Sequence, residues 1–100
     1  MLRAKATAAL NSGSSLFVSE WGTVNADGNG AVDLAQTGKW QALLRQNCFS
    51  QANWAVSDKS EGASLFKPGA SSTGPWKDKD LIDSVKLVRK LVRSWKVSCK

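Results

Sequence analysis

The sequence contains no histidine and no tyrosine, and it has only two cysteines among its 100 residues. Without histidine, the chain cannot build a His-ligated metal site, a Ser-His-Asp triad or a Cys-His pair. Cys48 and Cys99 are too far apart in sequence to form a Cys-x-x-Cys motif. We therefore expect neither a metal nor a cofactor.

Long apolar runs are also missing, because uninterrupted runs reach only three or four residues. A membrane-spanning helix needs about 20 predominantly apolar residues, so no membrane span is expected. Residues 1–13 lack the apolar stretch of about 7–15 residues that marks a secretory signal peptide, so none is predicted in this chain.

The basic excess, 14 Lys and Arg against 8 Asp and Glu, is concentrated near the C-terminus. Residues 79–100 carry seven basic residues against Asp80 and Asp83, whereas residues 1–78 are nearly balanced. This pattern predicts the solvated outer face of one amphipathic helix. Binding of phosphate or an anionic membrane by that face is the open alternative. The chain-wide charge does not indicate a nucleic-acid partner.

Apolar periodicity and turn residues predict a helix, a strand, a helix, a strand and a final helix. Their ranges are 2–11, 15–19, 31–47, 50–57 and 81–95, with a long loop over 58–79. Three consecutive apolar residues, Leu16 to Val18, are typical of a strand that is buried on both faces of a parallel sheet. The order of the elements predicts a parallel α/β fold.

Glu20 ends the first predicted strand and precedes Trp21 and Gly22. In parallel α/β folds and barrels, catalytic groups lie at the carboxyl ends of the strands. A carboxylate there, beside an aromatic ring, suits a nucleophile or an acid in sugar chemistry. The alternative is a strand-end glutamate that caps the following loop.

Trp54 lies in the second predicted strand, and Lys59 and Glu61 lie in the loop that directly follows it. The tryptophan is either a core residue or a stacking platform for the apolar face of a sugar. The charged residues are either a solvated pair or hydrogen-bonding partners of ligand hydroxyls.

Cys48 and Cys99 lie at the end of one predicted helix and just past the end of another. They can form a disulfide only if those two helix ends are neighbours and the compartment is oxidising. The sequence leaves this pairing open.

Three segments and the final helix together resemble the C-terminal part of a glycoside hydrolase family 5 cellulase, an endo-β-1,4-glucanase of bacterial or plant-parasitic nematode type. The segments are LFVSEWGTVNADGNGAVD, ANWAVSDKSEGAS and KPGASSTG. That family folds as a TIM (β/α)8 barrel. The resemblance implies that residues 1–100 form an α/β fragment of the catalytic domain, from strand 7 to helix 8, with helix 8 over 81–97.

The resemblance also implies a role for each candidate residue. Glu20 would be the nucleophile of retaining hydrolysis, Trp54 would stack on a sugar, and Lys59 and Glu61 would bind glucose hydroxyls. The family's acid/base glutamate belongs to strand 4, which this sequence does not include. The implied partner is a β-1,4-glucan such as cellulose or cello-oligosaccharides, and full-length members are secreted.

Two functions remain open at this stage. The chain is part of an active endoglucanase, or it is an inactive relic or partial gene product that at most binds glucan or an anionic partner. Because a two-stranded sheet leaves both edges unpaired, self-association of the fragment is also expected.

Overall fold

The computed structural model describes residues 2–96 and 98–99. Its helices are α1 (Leu2–Asn11), α2 (Leu34–Gln46) and α3 (Asp83–Arg93), its strands are β1 (Phe17–Trp21) and β2 (Ser50–Asn53), and a 3-10 turn covers Asp78–Asp80. The predicted order of helix, strand, helix, strand, helix is confirmed.

The two strands pair in parallel, with Phe17 opposite Ser50 and Val18 opposite Gln51. The parallel sheet is therefore confirmed, but burial of β1 on both faces is wrong for this chain. Phe17 is 64% exposed. Within the described residues the sheet contains only β1 and β2, so β1 lacks a second neighbouring strand.

The second strand is shorter than predicted, because it ends at Asn53 instead of residue 57. Beyond Trp54 the backbone turns away from β1 and bonds to a later segment of its own loop. The Ala55 N–H donates to the Ala63 carbonyl at 3.1 Å, and the Leu65 N–H donates to the Ala55 carbonyl at 3.1 Å. Trp54 consequently lies just after the strand and not within it.

The second helix begins at Leu34, three residues later than predicted, because Asp33 caps it. The Asp33 carboxylate accepts a hydrogen bond from the Gln36 N–H at 2.9 Å, which satisfies an N–H group that has no partner within the helix. The helix turns Thr37, Gln41 and Leu44 inward.

The final helix begins at Asp83, and the apolar repeat that predicted it extends beyond both ends. Leu81 forms an antiparallel bridge with Phe66, and Trp95 follows the helix end. Val85 and Val88 are buried in the core, whereas Val92 is 64% exposed. The implied end at residue 97 lies outside the described residues.

The ends of α2 and α3 are joined by an arginine and a disulfide. Arg45 donates from Nη1 to the Ser94 carbonyl at 3.0 Å and from Nη2 to the Leu91 carbonyl at 2.9 Å. These carbonyls lack partners within the helix, and a cation there also suits the helix dipole. Cys48 and Cys99, whose pairing the sequence left open, form a disulfide with a Cα–Cα distance of 5.9 Å.

The basic side chains of α3 are exposed, in agreement with the predicted solvated face. Lys86 pairs with Asp83 at 3.2 Å and Arg89 with Asp78 at 3.0 Å, and such exposed pairs contribute little to stability. In the described part of the chain, none of the helices has the length and apolar character that crossing a bilayer requires.

Candidate functional site

Glu20 is the last residue but one of β1, and it is exposed. It borders a cavity of about 700 Å³ between α1, β1 and α2, whose wall includes Trp40 and Leu44. The sequence correctly placed this carboxylate at the carboxyl end of a parallel strand.

The carbonyl of Trp21, directly after Glu20, ties the ends of the two strands together. It accepts the Trp54 N–H at 2.8 Å and the Asn53 side-chain amide, through Nδ2, at 3.0 Å. Glu20 directly precedes Trp21 in the chain, and Trp21 is hydrogen-bonded to both Asn53 and Trp54. The Trp54 ring is 52% exposed, so one of its surfaces is accessible rather than packed into the core.

The segment with Lys59 and Glu61 lies on the loop that follows β1. The Ala63 N–H donates to the Gly28 carbonyl at 2.9 Å. The Glu61 carboxylate lies over Gly28, where a Cβ would come within 3.4 Å of Glu61 Oε2. The positive φ of 84° at Gly28 is another reason why glycine suits this position.

Lys59 and Glu61 border a second cavity of about 560 Å³, together with Val24 and Ser84. The ion pairs found within the described residues do not include one between Lys59 and Glu61. Lys59 is exposed and Glu61 is half-buried, and a role of the two residues in binding ligand hydroxyls stays a prediction.

The structure brings the four candidate residues together only partly. Glu20 and Trp54 are linked through the strand ends, and Lys59 and Glu61 share a cavity. The Glu20 cavity does not include Lys59, Glu61 or Trp54. No group of three or more His, Cys, Asp or Glu side chains within residues 2–96 and 98–99 could hold a metal ion.

Sequence reasoning missed Asn53, whose amide bonds the strand end next to Glu20. Its position immediately before Trp54, at the end of a strand, was the available signal. It also missed Thr23 and Ser84, which share a buried hydrogen bond of 2.7 Å between the loop after β1 and α3. Nothing in the local pattern around either hydroxyl predicts that partner.

Comparison with known proteins defines the class of protein. The family model described as Cellulase (glycosyl hydrolase family 5) matches residues 1–60. Endoglucanase Z of Dickeya dadantii is 49% identical over 94 residues, which is 94% of this chain and 20% of that protein. An endoglucanase of Clostridium saccharobutylicum is 42% identical over 91 residues, 91% of this chain and 20% of its own length.

Solved structures agree with this class. A protein from Cytophaga hutchinsonii superposes with a TM-score of 0.89 at 44% identity, covering 92% of this chain and 30% of that chain. The catalytic domain of Thermobifida fusca endoglucanase Cel5A, in a variant solved with cellotetraose, gives a TM-score of 0.73 at 30% identity and covers 78% of this chain and 26% of that one.

The chain belongs to glycosyl hydrolase family 5, the cellulase family, whose members are TIM barrels. It spans about a fifth of the length of the curated relatives that it matches.

Proposed function

We propose that this chain is the strand 7 to helix 8 part of a retaining endo-β-1,4-glucanase barrel. In this proposal it carries the nucleophile and sugar-binding residues, while the acid/base residue comes from another part of the full-length protein. The substrate is a β-1,4-glucan such as cellulose or a cello-oligosaccharide.

The observation that carries the proposal is the bonding around the Trp21 carbonyl. It fixes the backbone next to Glu20 against the backbone of Trp54, at the carboxyl ends of two parallel strands. In TIM barrels this is the end where substrate binds and reacts. A carboxylate and an exposed indole ring on neighbouring strand ends suit a sugar that stacks on the ring while its reacting carbon faces the carboxylate.

Glu20 acts as the nucleophile in the first half of the reaction. One carboxylate oxygen forms a bond to the anomeric carbon while the glycosidic C–O bond breaks, and the acid residue gives its proton to the departing oxygen. Water then gives up a proton to that same residue and displaces the sugar from Glu20, which restores the original anomeric configuration.

The acid/base residue is assigned elsewhere because the sequence has only one other glutamate, Glu61. Retaining hydrolysis requires two carboxyl groups about 5–5.5 Å apart. Glu61 borders a different cavity from Glu20 and lies over Gly28. In our proposal Glu61 and Lys59 instead form hydrogen bonds with glucose hydroxyls, for which a charged donor and a charged acceptor are suited.

We also propose that the full-length protein is secreted. The Cys48–Cys99 disulfide supports this, because disulfides persist in oxidising extracellular compartments and are rare in the cytosol.

A covalent label tests the proposal directly. The full-length protein is incubated with a 2-deoxy-2-fluoro-β-cellobioside that bears a dinitrophenolate leaving group. Such a leaving group departs without a proton, and the fluorine slows hydrolysis of the glycosyl-enzyme. We expect one sugar on the peptide that contains Glu20, detected by mass spectrometry of a digest.

Two variants make the assignment specific. Glu20→Gln should take up no label, whereas Glu61→Gln should still be labelled, at a higher concentration of the reagent. Label on another residue, or equal labelling of Glu20→Gln, would remove Glu20 from the nucleophile role. Wild-type protein that takes up no label and releases no reducing ends from carboxymethyl-cellulose would instead support an inactive relic.

A further inference from the structure

The pairing of β1 with β2 is irregular where β1 approaches its carboxyl end. Val18 lies opposite Gln51, and the next partners are Trp21 and Asn53. The first strand advances three residues while the second advances two, so one extra residue lies in β1 between Val18 and Trp21. Such a bulge changes the direction of the side chains beside it and interrupts the regular ladder of hydrogen bonds. Glu20 lies within this bulge.

The Asn53 side chain supplies a bond at the point where regular pairing resumes. Its Nδ2 donates to the Trp21 carbonyl at 3.0 Å, beside the Trp54 N–H at 2.8 Å. A carbonyl oxygen has two lone pairs, so both donors are accommodated. The residues at the two ends of this bond directly adjoin Glu20 and Trp54 in sequence.

The chemistry of this contact requires a donor on residue 53. An aspartate there would turn a carboxylate oxygen toward the Trp21 carbonyl oxygen. The hydrogen bond would then be replaced by electrostatic repulsion between two oxygen atoms. The side chain has little freedom to turn away, because Asn53 is half-buried and its Oδ1 is enclosed without a hydrogen-bond partner among the described residues.

We propose that Asn53 is a positioning residue that holds the Glu20 bulge in register with Trp54, and so aims the carboxylate at the sugar bound on the indole ring. This inference rests on the proposed function of Glu20 and Trp54. Asn53 need not touch the substrate, and its effect reaches the reaction through the Trp21 carbonyl.

The experiment compares Asn53→Asp and the milder Asn53→Ala with the wild type in the full-length protein. The readouts are kcat and KM for cellotetraose and the rate constant of labelling by the fluorinated cellobioside. We expect kcat and the labelling rate to fall in parallel by about 10- to 100-fold, the scale of a small misplacement of a catalytic group. KM should change by less than about threefold, because Trp54 and the Lys59–Glu61 loop remain.

Asn47 provides a matched control. Its Nδ2 also donates to a backbone carbonyl, that of Leu43 at 2.9 Å, but at the end of α2. Asn47→Asp should leave kcat and the labelling rate unchanged. Melting temperatures of all variants identify any loss that is merely structural.

The outcomes separate the two proposals. If the wild type is labelled at Glu20 and both Asn53 variants keep kcat within twofold, the positioning role is wrong while the proposed function stands. Losses in Asn47→Asp as large as those in Asn53→Asp, or losses that follow the melting temperatures, also overturn it. If Asn53→Asp does not fold, Asn53→Ala decides. Wild-type protein without labelling and without hydrolysis overturns both proposals.

Discussion

The hydroxyls of Thr23 and Ser84 lie 2.7 Å apart and are buried, with residue exposures of 2% and 3%. Sixty-one positions separate them in sequence. Their hydrogen bond fastens the loop that follows Glu20 to the first turn of α3, so this final helix helps to hold that loop in place.

Thr23→Val removes one hydroxyl while it keeps the shape of the side chain. We expect the free energy of unfolding to fall by about 1–3 kcal/mol, because the Ser84 hydroxyl stays buried without its partner. Urea titration of the full-length protein measures the change. The double variant Thr23→Val, Ser84→Ala should recover part of the loss, and a single variant as stable as the wild type would contradict the prediction.

Glu20→Gln should abolish turnover and leave glucan binding largely intact. The amide keeps the size of the side chain but is too weak a nucleophile to form the glycosyl-enzyme bond. The measurements are kcat on cellotetraose and the dissociation constant by calorimetry. A variant that retains more than about a tenth of the wild-type kcat would exclude the nucleophile role.

Trp54→Ala should lower kcat/KM for cellotetraose roughly fivefold, which corresponds to about 1 kcal/mol of lost stacking. Trp76 is a matched control, since its exposure of 48% is close to the 52% of Trp54. Its ring packs against Phe66, with centroids 4.9 Å apart, in a different part of the loop. Equal losses in Trp54→Ala and Trp76→Ala would show that Trp54 is not a specific sugar platform.

Gly62→Ala should raise KM and lower stability, because it separates the Lys59–Glu61 segment from the loop after β1. A Cβ at Gly62 would lie 3.1 Å from the Gly30 carbonyl oxygen and 3.2 Å from Val24 Cγ1. Gly38 is the control, because a Cβ there meets nothing within 4 Å. As Gly38 lies inside α2, Gly38→Ala should stabilise the protein by about 0.5–1 kcal/mol. Steady-state kinetics and thermal melts test both, and a Gly62→Ala protein with wild-type KM and melting temperature would contradict this packing.

Reduction of the Cys48–Cys99 disulfide should destabilise the protein. For a loop of 51 residues the chain-entropy model gives a loss of about 4 kcal/mol. The melting temperature of the wild type should fall in dithiothreitol, whereas that of the double variant Cys48→Ser, Cys99→Ser should not respond. A wild type that is insensitive to reductant would show that the disulfide does not form in solution.

The sequence by itself determined the elements and their order, because these depend on local interactions. Helix α1 ends at Asn11 as predicted, next to Ser12 and Gly13, and Glu20 lies at the carboxyl end of a parallel strand. The resemblance, together with the match of the family model, supplied the family. Each of these features follows from residue types that are close together in the sequence or from the aligned pattern of the chain.

Only the tertiary structure decided where β2 ends, where α3 begins and which distant groups meet. Strand β2 stops at Asn53 because Ala55 finds its backbone partner at Ala63, and Leu81 leaves the predicted helix to pair with Phe66. The bonds from Asn53 to Trp21 and from Cys48 to Cys99 also join distant segments. Periodicity describes which face of an element is apolar, but a hydrogen bond or disulfide between distant residues depends on how the elements pack in three dimensions.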